Sequence, residues 1–409
     1  MKAIDPRIDV RSPRGGSVQV SSPVLRHPRR LAGVAVALLG GLASIAATQP
    51  ASTGHGSPAV RLNQVQAIAT HNSYHRELTS AEKAVQATRD RNWWNLEYSH
   101  ASLPVQFEAQ RVRSIELDVF PDPQGGLYRN PIVRKEAGLG PNPDADLAKP
   151  GFKVMHWADH DYGTSCSTLV KCLRQAKTWS DANPKHVPIP VLLELKSTDP
   201  AYEQLGGPRS PRWDVDLMDR LDAEIRSVLG DKNIIKPDDI RRPGRTLEES
   251  VLKYGWPSLE KSRGKFMFLM DNNATEIQSP YLNGHPNLEG RVLFTNAVPG
   301  RPDAAFVERN VPTGEDNLDA IRDLVRRGYF VRTRADEPFN EARSGDTSRL
   351  QAALASGAQV VSTDFPVPGL AARYGSDYVA QLPGRTVARC NPVNAPRSCR
   401  TPRLEPATR

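Results

Sequence analysis

Short apolar, β-branched runs recur along the chain and alternate with stretches of helical periodicity. This alternation is typical of a parallel sheet, and eight strand–helix units predict an α/β fold, a (β/α)₈ TIM barrel. The predicted strands are residues 65–70, 114–120, 152–156, 189–195, 266–270, 292–297, 329–333 and 359–363. The clearest predicted helices are residues 104–113, 168–183, 215–229, 247–262, 318–327 and 347–356.

An open, doubly wound sheet is the alternative arrangement of the same elements. Such a sheet is expected to carry a glycine-rich phosphate loop directly after its first strand. In this chain the first predicted strand is followed by His71-Asn72-Ser73-Tyr74, which contains no glycine. The sequence therefore favours the barrel.

The N-terminal segment has the layout of an export signal. Three arginines, at positions 26, 29 and 30, precede an uncharged run at 31–47 that ends in small residues. This pattern predicts a signal peptide at residues 1–47 and a secreted protein. A membrane anchor is the alternative, although a run of about 17 residues is at the short limit for spanning a bilayer. A linker at 48–62, a catalytic barrel at 63–381 and a Pro/Arg-rich tail at 382–409 are expected to follow.

The net charge of +8 is concentrated in the leader. Residues 1–47 hold seven Lys/Arg and two acidic residues, which is +5, so +3 remains for the rest of the chain. The body of the chain shows no basic stripe of the kind that binds nucleic acid. We therefore expect no nucleic-acid partner, and no protein partner is implied.

The four cysteines, Cys166, Cys172, Cys390 and Cys399, all lie in the part of the chain expected to be exported. Export permits disulfides, and pairing of sequence neighbours would join Cys166 to Cys172 and Cys390 to Cys399. Three connectivities are possible from the sequence alone. No CxxC pair occurs, so a zinc site is not expected.

Acidic side chains gather near the carboxyl ends of the predicted strands, where barrel enzymes carry their active sites. Glu116 and Asp118 share one face of the second strand, Glu194 ends the fourth strand, and Asn72 follows the first. Burying unpaired carboxylates is costly, so the acids need a counterion. An all-oxygen set suits Ca²⁺, with Mg²⁺ less suited because it prefers to keep several waters. The alternative is a salt-bridge network with nearby basic side chains, Lys196, Arg332 and Arg334.

Two histidines, His71 and His156, come at the ends of the first and third predicted strands, on either side of the acids. Imidazole can give or take a proton near neutral pH, so the pair is predicted to be catalytic, as general acid and base. The other histidines are expected to be solvated or capping, except that His160 could line the site. Further candidates for binding substrate are Lys196, Arg334 and Asp271, which follow other strands.

Several segments resemble the catalytic barrel of the phosphoinositide-specific phospholipase C family, in particular its secreted, calcium-dependent bacterial branch. The similarity rests on residues 69–75, 114–120, 154–166 and 190–196, extends more loosely to 362–366, and covers roughly 62–380.

The resemblance implies a PLC-like phosphodiesterase barrel acting on a phospholipid at a membrane surface. The inositol 2-hydroxyl would attack phosphorus and expel diacylglycerol, forming a cyclic inositol phosphate that water can open. It also implies that His71 and His156 are the catalytic histidines and that the calcium ligands are Asn72, Glu116, Asp118 and Glu194. The working assignment is His156 as the acid and His71 as base or phosphorane stabiliser.

Other interpretations remain open. A glycerophosphodiester phosphodiesterase is also a barrel, but it typically opens with His-Arg-Gly, which differs from His71-Asn72-Ser73. A sphingomyelinase-D-like enzyme is a further option. A non-catalytic lipid-binding barrel is the alternative from a different class of protein.

Overall fold

The structure is a computed structural model that describes residues 59–337 and 339–405. The predicted signal peptide, most of the linker and the last four residues lie outside these ranges. No helix in the described part of the chain is both long and apolar enough to cross a membrane.

The described chain contains eleven strands. They are β1 Val65–Thr70, β2 Ile115–Asp122, β3 Gly151–Val154, β4 Ile189–Leu195, β5 Ile234–Ile235, β6 Phe266–Met270, β7 Leu293–Phe294, β8 Phe306–Glu308, β9 Phe330–Arg334, β10 Val360–Thr363 and β11 Arg389–Cys390.

Twelve α-helices connect these strands in the same part of the chain. They are α1 Ser80–Arg89, α2 Leu103–Glu108, α3 Ile132–Glu136, α4 Leu169–Ala182, α5 Pro200–Gln204, α6 Val215–Leu229, α7 Leu247–Tyr254, α8 Leu259–Ser262, α9 Thr275–Leu282, α10 Glu315–Arg327, α11 Asn340–Ser344 and α12 Ser348–Ser356.

Eight parallel strands follow one another around a ring in the order β1, β2, β4, β6, β7, β8, β9 and β10. Hydrogen-bonded ladders join β2, β4, β6 and β7 into one sheet and β8, β9, β10 and β1 into another. Single parallel bridges, Ala69 to Ser114 and Asn296 to Phe306, connect the two sheets at both seams. The predicted (β/α)₈ barrel is confirmed.

One predicted strand lies outside the ring, and one strand of the ring is missing from the prediction. The run predicted at 152–156 is β3, which pairs antiparallel with β2 and therefore lies outside the ring of parallel strands. The eighth ring strand is instead β8, between β7 and β9, which is only three residues long and gives almost no period-two signal. The helix predicted at 247–262 is two helices, because Gly255 ends α7 with a φ of 72°.

Alternation along the ring strands separates the packed side chains from the site. In β2, Ile115, Leu117 and Val119 are fully buried in the main hydrophobic core, which also contains residues of α4 and α6. The intervening Glu116 and Asp118 point to the opposite face, toward the barrel interior. The pleat of one strand thus supplies both the packing and two carboxylates.

The C-terminal segment is joined to the barrel. β11 pairs antiparallel with β1, and Ala388 and Leu404 are buried beside Val65. Disulfides link Cys390 to Cys399 and Cys166 to Cys172, which confirms the pairing of sequence neighbours.

Arg113, just before β2, is buried against Glu405, with Nε 2.9 Å from Oε2. We predict that Glu405→Ala lowers the free energy of unfolding by about 3 kcal/mol, because it leaves a buried cation without its carboxylate. Urea denaturation measures this change.

Glu260→Ala is the matched control, since Glu260 pairs with Arg263 but is 74% exposed. This substitution should cost less than about 1 kcal/mol. Equal effects of the two substitutions would show that Glu405 does not tie the C-terminal segment to the barrel.

Candidate active site

β1 ends in a turn whose backbone is fixed to the neighbouring strands. The backbone N–H of His71 donates to the carbonyl of Thr363, and that of Ser73 to the carbonyl of Glu116. The hydroxyl of Ser73 accepts from the N–H of Glu116 at 2.8 Å. Asn72 has a φ of 43°, a left-handed conformation that asparagine tolerates better than most residues. His71 and Asn72 are therefore held at the barrel mouth by main-chain contacts.

The imidazole of His71 lies between two carboxylates. Its Nδ1 is 2.9 Å from Oδ1 of Asp364, and its Nε2 is 3.6 Å from Oε1 of Glu116. Burial, followed by the charge of Arg334, lowers the pKa of His71 to about 3, so the ring is neutral near pH 7. Because an ionised carboxylate only accepts, Nδ1 carries the proton and Nε2 has a free lone pair. His71 is thus arranged to accept a proton at Nε2.

Glu116, Asp118 and Glu194 each offer a carboxylate oxygen, and these atoms lie within 4.8 Å of one another. Asp118 and Glu194 are direct partners across the parallel ladder of β2 and β4. Burial raises the pKa of Glu116 to about 7 and that of Asp118 well above its ordinary value. Three acids are therefore held together, and burial disfavours ionisation of Glu116 and Asp118.

Asn72 is the fourth predicted oxygen ligand. Its side-chain N–H donates to the hydroxyl of Tyr98 at 3.2 Å, while its buried Oδ1 accepts no hydrogen bond. Oδ1 of Asp118 accepts no hydrogen bond either, whereas its Oδ2 lies 3.4 Å from Nζ of Lys196. Buried oxygens without donors are unusual in folded proteins, and a hard divalent cation would satisfy them. The donor set fits Ca²⁺.

The salt-bridge network that the sequence left as an alternative is also present. Nζ of Lys196 is 3.4 Å from Asp118 and 3.0 Å from Glu194, while Arg332 is 2.6 Å from Glu116. Arg332 also binds Glu308. Two cations thus face four carboxylates, so the basic side chains neutralise only part of the acidic charge.

His156 reaches the site from the loop after β3 rather than from a ring strand, which corrects the expected position. Its Nδ1 is 2.9 Å from Oδ2 of Asp161. Reciprocal backbone hydrogen bonds between Trp157 and Asp161 close this loop, and the ring of Trp157 stacks on His156 at 4.4 Å. Burial lowers the pKa of His156, although Asp161 opposes this effect.

Three histidines expected to be solvated or capping are instead buried: His75, His100 and His186. Two of them support the site. Nε2 of His75 lies 2.8 Å from Asp161, on the same oxygen that binds His156. Nε2 of His100 lies 2.8 Å from the backbone carbonyl of His71.

The remaining residues predicted to bind substrate lie in three places. Arg334 lies 3.2 Å from Asp364 and so joins the His71 side of the site. Burial, followed by the charge of Glu308, raises the pKa of Asp271, which places this acid beside the Arg332 network. His160 lies apart, in a cavity of about 710 Å³ that Lys196 and Glu194 also line.

The sequence analysis did not single out Glu308, Tyr98 or Asp161 as site residues. Glu308 was missed because β8 was missed, although Phe306-Val307-Glu308 has the apolar run and terminal acid of the other strands. Tyr98 and Asp161 lie in irregular segments, whose positions no periodicity predicts.

The fold and these contacts together are typical of a barrel phosphodiesterase, with an acidic cluster and two carboxylate-bound histidines at the mouth of the barrel. A family model described as Phosphoinositide phospholipase C, Ca²⁺-dependent, matches residues 60–392. The chain belongs to this family, whose members are calcium-dependent phosphodiesterases.

Solved structures give matches at low sequence identity. A calcium-dependent phosphoinositol-specific phospholipase C from Pseudomonas sp. is 15% identical, with 75% of this chain and 90% of that chain covered and a TM-score of 0.45. A Ca²⁺-dependent phosphatidylinositol-specific phospholipase C from Streptomyces antibioticus is 18% identical, with 75% of this chain and 96% of that chain covered and a TM-score of 0.44. A glycerophosphoryl diester phosphodiesterase from Parabacteroides distasonis is 13% identical, with 76% of this chain and 86% of that chain covered and a TM-score of 0.28. A comparison with curated protein sequences found no match.

The pKa values of the two catalytic-histidine candidates should depend on different basic side chains. Arg334 lowers the pKa of His71 and Lys196 lowers that of His156. We predict that Arg334→Gln raises the pKa of His71 from about 3 in the calcium-free protein and leaves His156 unchanged. Lys196→Gln should do the reverse. NMR titration of the imidazole resonances measures both, and a shift of both histidines in either variant would contradict the assignment.

Proposed function

We propose that the protein is a secreted phospholipase C that cleaves phosphatidylinositol to diacylglycerol and a cyclic inositol phosphate. The observation that carries the proposal is the neutral, Asp364-bound His71 next to the oxygen cluster of Asn72, Glu116, Asp118 and Glu194. Such a pair of features supplies a proton acceptor beside a site for positive charge, as a phosphoryl-transfer step requires.

The calcium ligands in this proposal are Asn72, Glu116, Asp118 and Glu194. Bound Ca²⁺ would supply positive charge for the phosphoryl oxygens and lower the pKa of a hydroxyl near it. Lys196 and Arg332 hold the carboxylates in place through their ion pairs. Arg334 and Asp271 are proposed to contact the inositol hydroxyls or phosphate.

The proton transfers follow from the two histidine–carboxylate pairs. Nε2 of His71 takes the proton of the inositol 2-hydroxyl as its oxygen bonds to phosphorus. The bond from phosphorus to the glycerol oxygen breaks, and His156, acting in its protonated imidazolium form, gives that oxygen a proton from Nε2, which releases diacylglycerol. Asp364 and Asp161 fix the two rings and stabilise the imidazolium forms. Water can open the cyclic product with the two histidines in exchanged roles.

A lipid substrate requires access from a membrane surface. Exposed apolar side chains stand in the loops that follow four strands on the active-site side: Trp157, Leu205, Val298 and Val311. Apolar side chains at the rim of a site suit contact with a lipid interface. Secretion is supported by the two disulfides, which persist in oxidising compartments.

The products distinguish the proposed reaction from its alternatives. We predict that the purified protein converts phosphatidylinositol to a cyclic inositol phosphate with Ca²⁺ but not with chelator, as followed by phosphorus NMR. His71→Ala should lower kcat by at least about 10³-fold, because no other group in contact with Glu116 and Asp364 accepts the proton. Free glycerol phosphate without a cyclic intermediate would instead indicate a glycerophosphodiester phosphodiesterase.

Calcium should also stabilise the fold. Since folding raises the pKa of Asp118 and Glu116, the calcium-free protein should lose stability as the pH rises through about 7. Ca²⁺ at about 100 times its Kd should raise the free energy of unfolding by about 2.7 kcal/mol. We predict that Asp118→Asn abolishes most of this gain and stabilises the calcium-free protein at pH 8, as urea denaturation can measure.

Asp222→Asn is the matched control, because Asp222 is a buried acid that lies outside the site. Its carboxylate accepts a hydrogen bond from the hydroxyl of Tyr281. That variant should keep the full calcium effect. A calcium response that survives Asp118→Asn would remove Asp118 from the proposed ligand set.

A further inference from the structure

A cavity of about 710 Å³ lies directly beside the oxygen cluster and is not used by the chemistry described above. Lys196 and Glu194 form its border with the site. Its walls come from the loop after β3 and from the segment around α5. The aromatic and aliphatic side chains that line the cavity include Phe120, Trp157, Tyr202 and Leu205.

His160 is the unusual polar group of this cavity. Its side chain is 1% exposed, and its ring lies 5.6 Å from that of Trp157 and 5.7 Å from that of Tyr202. Neither ring nitrogen makes a hydrogen bond, and Asp90 comes no closer than 4.0 Å. A buried imidazole without a partner is costly, so its presence points to a ligand that supplies the partner.

The charges of the cavity select against an anion. Asp90, Asp159 and Asp199 line it together with Arg89 and Lys196. Lys196 is already bound to Asp118 and Glu194, and Arg89 to Glu136. No basic group in the lining is therefore free for a phosphate. Burial also lowers the pKa of His160, so near neutral pH its ring offers one donor and one acceptor without charge.

The position of the cavity relative to the two histidines decides which part of a substrate would occupy it. His156 stacks on Trp157, which lines the cavity, whereas His71 is connected through Asp364 to Arg334. A phosphodiester between the two rings would thus have its leaving oxygen near His156 and the cavity. The opposite side of the phosphate would face the arginines.

We propose that this cavity binds the glycerol ester portion of the lipid leaving group. His160 hydrogen-bonds an ester oxygen, and Tyr202 and Leu205 contact the first carbons of the acyl chains. The inference rests on the proposed function and adds to it a site that distinguishes ester lipids from smaller leaving groups.

The test compares two inositol phosphodiesters that differ only in the leaving group. One is monomeric dihexanoyl-phosphatidylinositol, which needs no membrane, and the other is the methyl ester of inositol 1-phosphate. Tyr202→Ala should lower kcat/KM for the lipid by about tenfold, and Leu205→Ser by about threefold, because both remove contacts made only by the glycerol ester. Both variants should cleave the methyl ester within about twofold of the wild-type rate.

Leu252→Ser is the matched control, since Leu252 is an exposed leucine like Leu205 (41% and 52%) but lies on α7. It should leave both rates unchanged. Leu205→Ser changes an exposed side chain and should fold normally, so the comparison stands even if Tyr202→Ala lowers stability. Equal losses on both substrates, or no loss on the lipid, would overturn the leaving-group site.

The role of His160 has its own readout. His160→Phe keeps an aromatic ring between Trp157 and Tyr202 but removes both nitrogens. It should lower kcat/KM for the ester lipid about tenfold and have little effect on the ether-linked analogue, which has no carbonyl oxygen. The same loss on both lipids would overturn the hydrogen bond. A wild-type protein that cleaves neither inositol diester would overturn the proposed function and this site together.

Discussion

The site depends on one electrostatic constraint, the close approach of the buried Glu116 and Asp118 and the partly buried Glu194, whose carboxylate oxygens lie within 4.8 Å of one another. The register of β2 against β4 places Asp118 opposite Glu194, so the arrangement is a property of the ladder rather than of mobile loops. Carboxylates in such a place are stable as anions only if positive charge is provided. Arg332 and Lys196 provide part of it, and the remaining need is the physical basis for proposing a cation site at the mouth of this barrel.

The two histidines are held in different ways, which suits different roles. His71 directly follows the barrel strand β1. Its backbone N–H bonds to β10, and its imidazole bonds to Asp364 at the end of β10. His156 belongs to a loop that is closed by backbone hydrogen bonds between Trp157 and Asp161, and its imidazole bonds to the Asp161 carboxylate. Gly163 lets this loop pack tightly, because a Cβ there would lie 1.9 Å from the carbonyl of Arg76. Both rings are therefore oriented before any substrate binds.

Much of the fold and site could be predicted because strong local patterns coincide with the ring strands. In β2, apolar and acidic residues alternate with the period of a strand, and in β4 the single acid Glu194 lies near the carboxyl end, so the carboxylates at 116, 118 and 194 could be assigned to one mouth. The irregular residues could not. β8 is too short for a period to be visible, which hid Glu308. The direction of β3 is set by tertiary pairing with β2, and nothing in its composition distinguishes antiparallel from parallel.

The antiparallel β3 has a consequence for how the enzyme can vary. The connection from β2 to β4 carries β3, His156, Trp157 and His160 before α4 completes the usual crossover. The single connection between β2 and β4 thus supplies both the second histidine and one wall of the adjoining cavity. The ring strands supply the carboxylates and His71 independently. In the proposed mechanism, changes in this connection would therefore alter which leaving group is accepted, while the carboxylates fixed by the β2–β4 ladder stay in place.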